Sequence, residues 1–286
     1  MPRLALLLEY AGANLHGSQY QLGVRTVQCD LESALSAYFR RPIKTIFCGR
    51  TDAGVHAQGQ VVHFDVEDAD YSSGAAVEQP LKDSEQSFVQ TFKQDAEIDL
   101  WRLCWSLNGI LRSDIAVRKI EVVADDFHAR FTATSRQYVY RILNSAQRSS
   151  LLKDNHYFMP HKLDLKAMQA ATFDLIGTHD FVSFKSTNKE KTTTVCTVTR
   201  AELLNKGEGR LEFWIAANHF VYNMVRIITG TLIEIGLGKR APDTIAIALR
   251  ESDRSLTGKT APPFGLTLDS VKYPEHYKLF EETQLS

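Results

Sequence analysis

The chain lacks most of what would commit it to metal, redox or membrane chemistry. Its four cysteines, Cys29, Cys48, Cys104 and Cys196, include no C-x-x-C pair. Isolated thiols are the usual pattern of a reducing compartment, and they predict neither a disulfide framework nor a thiolate metal site. The nine histidines show no H-E-x-x-H or comparable spacing, so no metal is expected. P-loop and dinucleotide-binding fingerprints are missing too. With 16 Gly and 8 Pro, the chain is no low-complexity polymer. No run long enough to span a bilayer is free of charge. The most apolar stretch, residues 220–236, is broken by Asn223, Arg226 and Glu234. Glu9 interrupts the short apolar run at the start, which reads as a first strand rather than a signal peptide.

An excess of charge of either sign is also missing. The chain has 33 Lys+Arg and 34 Asp+Glu, a formal net charge of −1. An even spread of that charge would argue against a nucleic-acid partner. The spread is uneven. Residues 65–99 hold ten acids and two bases, net −8, which leaves +7 on the remainder. This stretch, rich in Ser and Gln and poor in apolar residues, reads as a solvated insert. Residues 127–153 carry five bases (Arg130, Arg136, Arg141, Arg148, Lys153) and no acid.

What is present reads as α+β. The length, 286 residues, suits one large or two medium domains. Strands are expected at 4–10, 43–48, 60–64, 115–123, 137–143, 195–204, 210–217 and 265–271. Helices are expected at 26–39, 100–111, 163–176, 220–236 and from Pro242 to Arg250. Thr26 is the expected N-cap of the first helix. A junction near Asp125-Asp126 divides the chain into an N-terminal domain, 1–125, with the acidic insert at about 65–99, and a C-terminal domain, 126–286.

Three segments could carry chemistry. Gly49-Arg50-Thr51-Asp52-Ala53-Gly54-Val55-His56-Ala57 joins two apolar strands. It reads either as a plain hairpin loop or as an active-site loop in which Arg50 stands beside a working Asp52. In the helix 220–236, Asn223, Arg226, Gly230 and Glu234 form one polar stripe. Arg226 either meets solvent or a structural acid such as Glu234, or it faces a cleft and pairs with a functional carboxylate. In the basic strand, Arg136, Tyr138 and Tyr140 share a face. That face is either an ordinary half-exposed strand or a platform where a ring stacks on a base while arginines hold phosphates.

Together these segments resemble the tRNA pseudouridine synthase A (TruA) family. The G-R-T-D-A-G-V-H element at Gly49 to His56 is the most specific match. Gly59-Gln60-Val61-Val62-His63-Phe64, Asp114-Ile115-Ala116-Val117-Arg118, Asp126-Phe127-His128-Ala129-Arg130-Phe131, Ala133-Thr134, His179-Asp180-Phe181, Asn218-x-Phe220, Met224-Val225-Arg226 and Gly265-Leu266 fit as well. Near the N-terminus the chain departs from the family pattern. Ala11 stands where the family has Asp, and Ser18 where it has Trp.

The resemblance implies the fold: two α+β domains forming an extended, mainly antiparallel sheet flanked by helices, with a central cleft. It implies isomerisation of uridine to pseudouridine at positions 38, 39 and 40 of the tRNA anticodon stem-loop, with no cofactor and no metal. It also implies a cytoplasmic homodimer that engages neither DNA nor membrane. It makes Asp52 the catalytic carboxylate and Arg226 its ion-pair partner. It makes Tyr138 the ring that stacks on uracil, Arg50 and Arg136 RNA contacts, and Leu266 a wall of the uracil pocket. His56 and His63 are expected to support the loop. A non-catalytic RNA-binding module, or a metal-dependent nuclease using Asp52, His56 and His63, are the competing readings. The acidic stretch is expected to lie away from the tRNA path.

Overall fold

The computed structural model describes residues 2–67, 99–187 and 193–280. The acidic stretch therefore falls almost wholly outside the described residues, and so does the expectation about its position. Among the described residues, ten strands form one mixed, mainly antiparallel sheet flanked by five helices. The strands are β1 (Arg3–Tyr10), β2 (Ile46–Phe47), β3 (His56–Asp65), β4 (Ile115–Val123), β5 (Ser135–Asn144), β6 (Tyr157–Met159), β7 (Gly177–Asp180), β8 (Val195–Asn205), β9 (Arg210–Ala217) and β10 (Leu266–Lys272). The helices are α1 (Val27–Phe39), α2 (Leu100–Ile110), α3 (Leu165–Phe173), α4 (Met224–Gly236) and α5 (Thr244–Glu251).

Across the sheet the order is β4-β1-β3-β10-β5-β9-β8-β7, with β2 on β3 and β6 on β5. The last strand holds the middle. β10 runs parallel to β3 through Thr267 and Leu268, and antiparallel to β5 along most of its length. One hydrophobic cluster gathers the first half of the chain with Phe127, Ala129 and Leu268. A second gathers the later half with Val55. Tyr138 packs against both.

Local chemistry sets the element ends. Thr26 caps α1 by accepting from the Cys29 N–H at 3.2 Å. Asp99 and Asp164 cap α2 and α3 in the same way. Several boundaries differ from the sequence pattern, and three have a clear local cause. The strand expected at 43–48 shrinks to two residues because its backbone is hitched to α1: the Ile43 N–H donates to Ser36 and the Thr45 N–H to Glu32. The next strand starts at His56 rather than 60, because β10 and β1 give its first residues partners. The helix expected from 220 starts at Met224, because Asn223 takes a left-handed backbone with φ 64°. That break in the backbone shapes the site.

Candidate active site

The loop between β2 and β3 carries Asp52, and it is fixed from below by buried polar groups. Gln60 is fully buried. Its side-chain amide donates to the Gly49 carbonyl at 3.1 Å and to the Tyr10 hydroxyl at 3.2 Å. Its oxygen accepts from the Cys48 thiol. The Tyr10 and Thr51 hydroxyls are 2.8 Å apart. Burial pushes the Cys48 thiol up to about 11 and the Tyr10 phenol higher still. Both groups stay protonated near neutrality, and the network stays a set of neutral hydrogen bonds.

The N-terminal segment closes the loop from the side. Ser18 is 1% exposed. Its hydroxyl accepts from the Thr51 N–H at 2.9 Å, and its own N–H donates to the Thr51 carbonyl at 3.1 Å. Next to it, Gly17 has φ 91°, and a side-chain carbon there would sit 2.7 Å from the Thr51 oxygen. Only glycine fits that position without displacing the loop. Ser18, one of the two departures from the family pattern, is thus a buried clip on the Asp52 loop.

Asp52 meets Arg226 across the sheet. The Arg226 Nη1 donates to Asp52 Oδ2 at 3.2 Å. Arg226 is held by two further bonds, Nε to the Ala261 carbonyl at 2.8 Å and Nη1 to Asn223 Oδ1 at 2.8 Å. Asn223 is the left-handed residue that starts α4, so the break in the helix also aims the guanidinium. Of the sequence alternatives for Arg226, the structure takes the pairing with Asp52. Glu234, lower on the same stripe, pairs with Arg240 instead.

A cavity of about 640 Å³ opens above this pair. Asp52, Arg226, Tyr138, Arg50, Leu266 and Arg136 all line it. That volume suits a small organic ligand. Tyr138 keeps partial access to the cavity, and its ring packs edge-on against Phe220 at 5.0 Å. Its hydroxyl has no hydrogen-bond partner among the described residues. Burial, reinforced by Cys48 and Tyr10 nearby, raises its phenol above the usual tyrosine range. Arg50 is exposed at the mouth. Leu266 is buried in the wall.

Arg136 has an additional structural job. Its guanidinium donates to four carbonyls, those of Ala133, Asn218, Cys48 and Arg130, the last at 2.6 Å. It ties the start of the Asp52 loop to two other segments of the cleft wall. Arg130, His219, Phe220 and Asn223 also line the cavity, and residue pattern alone gives none of them a role there. The exposed basic run hinted at Arg130. Nothing in the pattern pointed to the left-handed Asn223.

Asp52, His56 and His63 are not gathered into a ligand set. The His56 Nδ1 accepts from the Gly12 N–H, and the His63 Nδ1 from the Ala129 N–H, each at 3.1 Å. No group of three His, Cys, Asp or Glu side chains among the described residues could hold a metal ion.

The comparisons with known proteins agree on one family. Residues 171–274 match a family model described as tRNA pseudouridine synthase. The tRNA pseudouridine synthase A of Geobacillus sp. (strain WCH70) is 38% identical over 272 residues, 95% of this chain and 98% of the relative. That of Halalkalibacterium halodurans is 40% identical, covering 93% and 90%. The chain belongs to the tRNA pseudouridine synthase A family. The enzyme of the same name from Acetivibrio thermocellus is 37% identical, over 96% of this chain and 100% of its own length. The family likeness thus spans both hydrophobic clusters and both sides of the cavity.

Proposed function

We propose that this family member isomerises uridine to pseudouridine in tRNA, at positions 38, 39 and 40 of the anticodon stem-loop, working as a cytoplasmic homodimer. The observation that carries this reading is the Asp52–Arg226 pair at the floor of a cavity with an aromatic wall and a cationic mouth. The reaction breaks the N1–C1′ bond, turns the uracil and joins C5 to C1′. N1 gains a proton and C5 loses one, so no electrons are added or removed. The chemistry asks for a placed carboxylate, a pocket for a turned-out base and a group that can attend the C5 proton.

Each demand has a residue. Asp52 is the reacting carboxylate. Attack at uracil C6, attack at C1′ and removal of a sugar proton all require it ionised. Arg226 holds it in place by a charge-assisted hydrogen bond. A base must leave its stack to reach Asp52, at a cost of a few kcal/mol. Tyr138 repays part of that cost by stacking on the uracil, with Leu266 as the opposite wall. The Tyr138 hydroxyl, which lines the same cavity, is assigned to the C5 proton. Arg50, at the mouth, contacts the RNA beside the turned-out nucleotide. Arg136 shapes the wall through its four carbonyls, and this role is compatible with contact to RNA from the same face.

The test is pseudouridine mapping on unmodified tRNA incubated with the purified protein. Pseudouridine within positions 38–40, in RNA of unchanged length, is the expected result. Unmodified or cleaved RNA contradicts the reading.

A further inference from the structure

Beyond the cavity, Phe131 is a large ring left in solvent on a loop tied down by hydrogen bonds. It lies between β4 and β5 and is 77% exposed. One face of the ring stacks on His128, with centroids 4.4 Å apart and planes 28° from parallel. That stack covers one face, and the Arg130 guanidinium lies over the ring, 5.9 Å from its centroid.

The loop around it is locked. The His128 Nδ1 accepts from the N–H groups of both Arg130 and Phe131, at 3.2 Å each. The Thr132 hydroxyl donates to the His128 carbonyl at 2.7 Å. Tyr273 donates to the Ala129 carbonyl, and the Ala129 N–H donates to His63. His63 in turn packs edge-on against His128 at 4.9 Å. Behind the exposed ring there is a layered aromatic support.

The platform adjoins the cavity. Arg130, next in sequence, lines the cavity, and its guanidinium lies 5.9 Å from the Phe131 centroid. Its carbonyl accepts from Arg136, which also binds the Cys48 carbonyl at the start of the Asp52 loop. A solvent-exposed ring with a cation over it, at the rim of the cavity, has the chemistry of a stacking subsite for a nucleobase.

We propose that Phe131 is a second stacking subsite: it takes an unstacked nucleobase of the RNA substrate, a neighbour of the one in the cavity, while Arg130 faces that nucleotide's phosphate. This rests on the reading of the cavity as a uridine-isomerising site. The subsite holds the displaced strand and acts on binding, not on the chemical step.

The test measures tRNA affinity apart from turnover, on the unaltered protein and on F131A, F131L and F131W. Stacking of one base predicts that F131A and F131L each weaken affinity by about tenfold. KM should rise to match, with kcat held within about twofold. F131W should restore affinity, and its emission, above that of the three native tryptophans, should be quenched by tRNA. Phe131 buries little, so thermal stability should not move. Wild-type affinity in F131L shows that apolar contact suffices and overturns the proposal, as does unchanged affinity in F131A. Turnover by the unaltered protein with equal affinities removes the subsite alone. Weakened binding by F131A without any turnover by the unaltered protein removes the isomerase reading alone. No tRNA binding by the unaltered protein removes both.

Discussion

Arg226 and Asp52 are 174 positions apart in the chain, and their side chains meet at 3.2 Å on the floor of the cavity. The pair spans the sheet's centre, so the two halves of the molecule must be in register for the site to exist. Arg226→Met removes the cation and leaves the apolar stem. Turnover should fall by roughly a hundredfold or more, as for other placed charges at reacting centres. The tRNA should still bind and the fold should persist. Unchanged kcat in a folded protein removes Arg226 from the mechanism.

Tyr138 separates two contributions. Tyr138→Phe keeps the ring and deletes a hydroxyl that has no partner among the described residues. It should leave affinity and stability almost unchanged and lower turnover, if the hydroxyl attends the C5 proton. Tyr138→Ala should weaken affinity too, by roughly tenfold for a lost stacking surface. Equal kcat for Tyr138→Phe and the unaltered protein would confine the residue to stacking. Because burial raises the phenol, the pH–rate profile should show no Tyr138 limb below about pH 10, its ordinary value.

The buried network under the loop is a stability device as well as a positioning one. Gln60→Ala leaves the Gly49 carbonyl and the Tyr10 hydroxyl each without the donor they have now. The Tyr10 hydroxyl keeps Thr51 as a partner, so the orphaned Gly49 carbonyl sets the cost, about 1–3 kcal/mol. The melting temperature should drop, and kcat should fall further than tRNA affinity as Asp52 loses its fixed position. Gln60→Glu, which keeps the shape but swaps donors for acceptors, should not rescue. Full activity in Gln60→Ala would show that the loop holds itself.

Acid should weaken the fold through His63. Burial, with Arg3 and His128 nearby, lowers its pKa to about 4, against roughly 6.5 when unfolded. Between those values the unfolded chain binds the extra proton, so stability falls with pH from about 6.5 towards 4. The loss is on the order of 3 kcal/mol if complete. His63→Gln keeps an acceptor for the Ala129 N–H without the titrating ring. Its melting temperature should fall less between pH 7 and pH 5 than that of the unaltered protein. Equal falls would place the acid sensitivity elsewhere.

Much of this was legible in the residues, and the exceptions have physical causes. Periodicity marked β4 and β9 at their true bounds, and the Thr26 cap fixed where α1 begins. The Gly-rich Asp52 loop was visible because two apolar runs flank it. Residue spacing alone left Arg226 between solvent, Glu234 and a cleft, since a meeting across 174 positions is a property of the sheet order. Asn223 was hidden inside an apolar run that continues helical periodicity past the point where the backbone breaks. Arg136 stood out as a charge, but its work on four carbonyls depends on three distant segments converging. Ser18 looked like a loss against the family pattern until its two bonds to Thr51 were seen.

The proposed isomerisation turns on Asp52 as the reacting carboxylate. Tritium release from tRNA labelled at uridine C5 probes that role without intermediaries, because no isomerisation to C5 can finish without losing that hydrogen. Asp52→Asn keeps the size of the side chain and a hydrogen-bonding oxygen for Arg226, while removing the charge. The unaltered protein should release tritium, and Asp52→Asn should release none above background, with tRNA still bound. Release by Asp52→Asn at the unaltered rate would take the carboxylate out of the reaction.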